Sequence, residues 1–137
     1  MKSYLSLITF SHTVFALPFA IIGFTLGITQ PGAQFLWTDL LLVIACMVFA
    51  RSAAMAFNRY IDADIDKKNA RTAQREIPKG VITPKNALYF VIANAIAFML
   101  CALMLNTLCF YLSPVALLVI LGYSYTKRFT WLCHFIL

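Results

Sequence analysis

Charge is scarce in this sequence. Asp, Glu, Lys and Arg make up 12% of the residues, with only 5 acidic side chains against 11 basic ones. Soluble domains carry about 25%, so a fully water-exposed surface is excluded. With 62% hydrophobic residues and a mean hydropathy of +0.84, the bilayer is the natural solvent. The basic excess of +6 does not form the broad solvated face that nucleic acid requires, because the charges sit in short islands. Cysteine offers nothing either. Cys46, Cys101, Cys109 and Cys133 lie singly in apolar segments without a CxxC pair, as small buried thiols do, not disulfides or metal ligands. Histidine is rare, and His12 beside Ser11 reads as a hydrogen-bonded structural residue. Long polar tracts, low-complexity stretches and sequence repeats are missing, and the only sizeable polar piece runs from about Ala63 to Pro84.

What is abundant is long apolar runs. Spanning a hydrocarbon core of about 30 Å takes about 20 helical residues. Segments at roughly 10–29, 36–57, 86–109 and 112–126 are read as membrane helices. A fifth begins in "FTWLCHFIL". The expected fold is an all-α, polytopic transmembrane bundle of four complete spans and the start of another. The amino terminus resembles a signal peptide only in Lys2 and the apolar stretch after it; that run is too long and has no small-residue cleavage site. Leu137 falls inside a helical pattern with no cap, Gly or Pro, so residues 1–137 are expected to be the amino-terminal part of a single membrane-embedded domain. Pro18 and Pro114 need neighbours to satisfy the carbonyls they free. Gly23 and Gly27 suggest close helix packing, and Thr83 or Pro84 is placed to start the third span.

Lys and Arg set an expected orientation. The links "TQPGAQFLWTD" and "NTLCFYLS" contain no basic residue, whereas Arg59, Lys67, Lys68, Arg71, Arg75, Lys79 and Lys85 follow the second span and Lys127 and Arg128 the fourth. All basic segments then share one side with the amino terminus, the cytoplasmic side by the positive-inside rule. Trp37 and Trp131 suit interfacial anchoring.

The charge that is present collects in "FNRYIDADIDKKNARTAQR". If the second helix continues past its apolar run, Asn58, Asp62 and Asp66 follow one another at i, i+4 and i+8 along one face, while Asp64 points elsewhere. Carboxylates one turn apart repel unless a cation lies between them. Oxygen donors without histidine or thiolate suit Mg²⁺, which completes its shell with water and phosphate. Arg71 and Arg75, a turn apart if that segment is helical, would supply forked donors to a diphosphate. From spacing alone, surface pairing of the aspartates with Arg59, Lys67 and Lys68 is an equal alternative. Arg51 favours the first reading, since an arginine inside a span costs about 2.5 kcal/mol or more unless it faces a polar interior. In "GYSYTKRF", Tyr123 and Lys127 are again one turn apart on the basic side, as a grip on the same anion or as an interfacial anchor.

These pieces resemble the UbiA superfamily of intramembrane prenyltransferases, and among them bacterial 4-hydroxybenzoate polyprenyltransferases. The resemblance is carried by "SHTVFALPFA", "RSAAMAFNRYIDADIDKKNARTAQREIPKG" and "YSYTKRFT". The family's NRxxDxxxD motif maps onto Asn58, Arg59, Asp62 and Asp66, and its YxxxK motif onto Tyr123 and Lys127. The resemblance implies a nine-helix bundle, a second aspartate motif beyond this portion, and a bacterial inner-membrane location. It implies a polyprenyl diphosphate and an aromatic acid as substrates and Mg²⁺ as cofactor. Asn58, Asp62 and Asp66 would hold the metal, with Asp62, Asp66 and Lys127 catalytic. Arg51, Asn58, Arg71, Arg75, Tyr123 and Lys127 would bind substrate. The segment alone is expected to be inactive, holding at most half the polar site. Glu76 stands where many relatives have proline. Dihydroxynaphthoate or haem as acceptor, or a membrane anion carrier or structural subunit, are the competing functions.

Overall fold

Four helices follow one another in a computed structural model that describes residues 10–30, 32 and 34–129, with side chains described from residue 14 to residue 126 of these. They are α1 (Phe10–Ile28), α2 (Trp37–Lys68), α3 (Pro84–Leu105) and α4 (Thr107–Phe129). The fold is all-helical among the described residues. The side chains of His12 and Lys127, and residues 130–137 with the start of the fifth span, Trp131 and Cys133, lie outside them.

Among the described residues, three helices are long and apolar enough to cross a membrane: the most apolar 18-residue stretches of α2, α3 and α4 have mean hydropathies of 2.2, 2.4 and 1.8. The described apolar part of α1 is the shorter Val14–Ile28. Large apolar side chains point outward along all four, among them Phe15, Phe19, Leu41, Met104 and Leu118. In water such a surface would aggregate; in hydrocarbon it is solvated.

The 32 residues of α2 rise about 48 Å, well beyond a hydrocarbon core of about 30 Å. A hydrocarbon core counted from Trp37 would end near Phe57, which leaves the last three turns, from Asn58 to Lys68, beyond it. Asp39 in the first turn and Lys67 and Lys68 in the last complement the helix dipole.

The main interface lies between α2 and α3. Ala53, Ala56 and Ala63 are buried there with Ala87 and Val91, and Ile77 and Ile82 from the intervening loop close the cluster. Small side chains let the backbones approach, which is how helices associate where hydrocarbon surrounds them. That role does not fall to Gly23 and Gly27. A methyl group at either would meet no atom of the described residues within 4 Å, and both line an open cleft.

The α3–α4 connection differs from the sequence expectation. Residues 106–113 do not form a link; Asn106 alone breaks the helix. Its backbone N–H donates to Ala102 O at 3.1 Å, its carbonyl accepts from Phe110 N at 3.0 Å, and its Oδ1 accepts from Leu108 N at 3.0 Å. One asparagine thus ends α3 and caps α4. Pro114 lies inside α4, not at its start, and the carbonyl it frees, that of Phe110, accepts the Ser113 hydroxyl at 2.8 Å. At the start of α3, Thr83 Oγ1 accepts from Asn86 N at 3.3 Å and Pro84 occupies the first turn, as the sequence indicates.

Candidate functional site

Along α2, a step of seven residues falls about 20° short of two full turns, so Arg51 and Asn58 stand almost in line. Both open into a groove of about 600 Å³ between α1, α2 and α4. Tyr123 and Ser124 of α4 complete its polar part, and Ala16, Phe19, Met47 and Ile120 are among its apolar walls. Three of the residues singled out in the sequence, Arg51, Asn58 and Tyr123, therefore meet on one surface.

Arg51 carries the notable feature of this groove. Its Nε is buried and makes no hydrogen bond among the described residues. A buried donor left unpaired costs about 1–3 kcal/mol. Arg51 also lines the groove, where an anion would offset the charge of its guanidinium.

The two aspartates diverge. Each four-residue step advances about 40° past a full turn, so Asp62 stays near the Asn58 line while Asp66 turns about 80° away from it, toward the loop after α2. The strict single face expected from i, i+4, i+8 is thus a gradual spiral. Asp66 is 5% exposed, and both its carboxylate oxygens accept from Arg75 Nη1, at 3.0 and 2.8 Å. Two turns earlier on the same side, Arg59 Nη1 donates to Glu76 Oε2 at 2.7 Å. Neighbouring loop residues thus pair, with opposite polarity, to positions about 10 Å apart on the helix.

The loop itself is a run of turns, so the helical arrangement of Arg71 and Arg75 is not formed. Asn69 is extended, and its Oδ1 accepts from Arg71 N at 3.1 Å while its carbonyl accepts from Ala73 N at 2.8 Å. Thr72, buried, donates to Asp66 O at 3.2 Å. Gly80, at φ 79°, takes the left-handed conformation that lets Val81 and Ile82 return their N–H groups to Glu76 O at 2.9 and 3.1 Å. Arg71 is exposed. Asp64 is also exposed, pointing away from the groove side as expected.

Surface pairing of Asp66 with its helix neighbours is not what forms; the partner comes from nine residues away. Among the described residues, no three His, Cys, Asp or Glu side chains gather to hold a metal ion unaided. The Arg59–Glu76 contact, like the Asp66–Arg75 pair, is a site feature the sequence did not reveal. Its only sign was glutamate where proline is frequent.

The sequence matches the UbiA prenyltransferase family over residues 16–137. The chain belongs to that family. A UbiA homologue from Aeropyrum pernix K1, solved in its apo form, superposes with a TM-score of 0.82 at 37% identity, covering 92% of this chain and 44% of that one. The 4-hydroxybenzoate octaprenyltransferase of Aliivibrio fischeri (strain MJ11) is 35% identical over 101 residues, which are 74% of this chain and 35% of the relative. The protoheme IX farnesyltransferase of Vibrio vulnificus (strain YJ016) is 34% identical over 117 residues, 81% of this chain and 37% of the relative. The chain thus spans about a third of the length of these curated relatives. Within this UbiA segment, α2 carries both the aspartate-bearing turns that the following loop clasps and the Arg51–Asn58 wall of the groove, which α1 and α4 complete.

Proposed function

We propose that this chain is the amino-terminal part of one membrane-embedded domain whose full form transfers a polyprenyl group from its diphosphate to an aromatic acid, 4-hydroxybenzoate first. The observation that carries the reading is the unpartnered, buried Nε of Arg51 on a mostly apolar groove shared with Asn58 and Tyr123. An apolar groove with a cationic side chain suits two substrates side by side, an isoprenoid tail along its walls and an acceptor carboxylate at Arg51. The share of the two relatives covered, 35% and 37%, supports placing the rest of the domain beyond these residues.

Asn58, Asp62 and Asp66 are a donor set of oxygens only, which fits Mg²⁺ better than a softer ion. Two carboxylates leave coordination positions for water and phosphate, consistent with the lack of a three-residue acidic or thiolate cluster among the described residues. When bound there, the ion would supply charge stabilisation to the departing diphosphate. Arg71 and Arg75 of the loop, and Tyr123 and Lys127 of α4, would be further donors to the same anion. Arg51 orients the acceptor through its carboxylate. The isoprenoid tail lies along the apolar wall, each CH₂ gaining about 0.8 kcal/mol on leaving water. With the amino terminus in the cytoplasm, this polar end lies on the cytoplasmic face of the inner membrane, as the basic segments favour.

The acceptor is decided by a side-by-side assay of the full-length protein in nanodiscs with 4-hydroxybenzoate, dihydroxynaphthoate and haem. We expect Mg²⁺-dependent carbon–carbon bond formation with 4-hydroxybenzoate at more than about ten times the kcat/KM of the others, a difference of about 1.4 kcal/mol. Preference for haem would move the protein toward the farnesyltransferase relatives. Anion transport with no prenylated product would place it outside enzymes.

A further inference from the structure

The proposed roles of Asp66 and Arg75 conflict with their observed pairing. Asp66 would hold a cation and Arg75 a phosphate, yet both oxygens of Asp66 are occupied by Arg75 Nη1. We propose that this pair is a latch, closed in the ligand-free protein, which divalent cation and diphosphate open together. The inference rests on the functional reading above and adds to it a coupling between the two ligands.

Several features equip the pair for exchange. The Asp66 side chain is 8% exposed and that of Arg75 35%, so the carboxylate is the fixed member and the guanidinium the one with room to leave. The Arg75 backbone is held from both sides, with its N–H donating to Thr72 O at 3.0 Å and its carbonyl accepting from Lys79 N at 2.9 Å. The next residue is tied down by Glu76 to Arg59 at 2.7 Å. The loop can therefore stay in place while one side chain rotates. By helical phase Asp66 stands about 80° from the Asn58 line, with Asp62 between the two.

The exchange conserves pairing. A cation that takes the Asp66 carboxylate replaces one positive partner with another, and the released guanidinium meets an anion that arrives with the cation. Cation alone must displace Arg75 into water, and anion alone must draw Arg75 away from a nearly buried carboxylate. Either ligand by itself works against the latch; together they do not. Arg75 thus opposes binding of the cation alone and favours binding of the anion, and the two ligands help each other bind. In the absence of donor the metal site stays weak, which withholds the activating ion until a diphosphate is present.

The test uses full-length protein in nanodiscs, with Mn²⁺ as a paramagnetic reporter and inorganic pyrophosphate as the anion. Arg75→Gln is expected to tighten Mn²⁺ binding about tenfold without pyrophosphate, and to weaken pyrophosphate binding about tenfold at saturating Mn²⁺. Loss of general structure would shift both in the same direction, so the opposite signs identify the latch. Arg75→Lys keeps the charge with a single-point donor, covers the case in which the glutamine variant folds poorly, and should move both quantities the same ways by smaller factors. Unchanged or weakened Mn²⁺ binding in both variants would overturn the latch while leaving the site itself standing. Wild-type protein that binds neither Mn²⁺ nor pyrophosphate would overturn the functional reading, and the latch with it.

Discussion

Replacing Asp66 with asparagine in the full-length protein is expected to lower prenyl transfer about 10³-fold, with Asp62→Asn close behind, while both proteins still insert and fold. The size follows from the step at stake, because removing one preorganised charge stabiliser from a departing anion costs about 3–4 kcal/mol in the barrier. The two variants differ in stability. Asp66→Asn leaves Arg75 without its carboxylate, and a half-broken buried pair is destabilising. Arg75 is about a third exposed, so water takes over part of that pairing and the cost falls to about 1–2 kcal/mol. Asp62→Asn leaves the Asp66–Arg75 pair intact, so that part of the loss is absent from it. Transfer rates measured at matched expression, with thermal melts alongside, check both parts. Wild-type turnover in either variant would remove that carboxylate from the metal site.

Arg51→Met is expected to act with opposite signs on stability and function. The ligand-free protein should gain about 1 kcal/mol, because a buried donor with no partner is replaced by an apolar chain of similar length. Acceptor KM should rise about 10–100-fold, the loss of a charge-assisted hydrogen bond worth about 1.5–3 kcal/mol, with donor KM little changed. Arg51→Lys should recover only part of it, as an ammonium lacks the planar fork. A donor KM that rises while the acceptor's stays constant would assign Arg51 to the diphosphate. Stability lost, not gained, would mean that Arg51 serves the fold.

The membrane class and the extension of α2 past its apolar half were legible because both rest on local pattern: unbroken hydrophobic runs, then polar residues at helical spacing with no Gly or Pro before Asn69. The junction at Asn106 was not. Pro114 marked a plausible helix start, and only the hydrogen bonds of Asn106 and Ser113 show that α4 begins earlier and absorbs the proline. Within the site, Arg51 and Asn58 share a groove because seven residues nearly close two turns, a relation any helix would keep. The turning of Asp66 toward Arg75 and the contact of Arg59 with Glu76 depend on how the loop over 69–83 folds back, which is set by the Asx turn at Asn69, a left-handed Gly80 and two buried isoleucines acting together. Such cooperation has no short-range signature. Gly23 and Gly27 show the converse, a familiar packing motif that here borders open space while the alanines of α2 do the packing.

The central claim is that Asn58, Asp62 and Asp66 hold a magnesium-bridged diphosphate at the end of α2. A structure of the full-length protein with Mg²⁺ and an unreactive thio-analogue of the donor tests it most directly. It should show the ion among those three side chains, with Arg75 turned from Asp66 onto a phosphate oxygen. Density for the diphosphate elsewhere, with Asp62 facing bulk water and Asp66 still paired to Arg75, would contradict it.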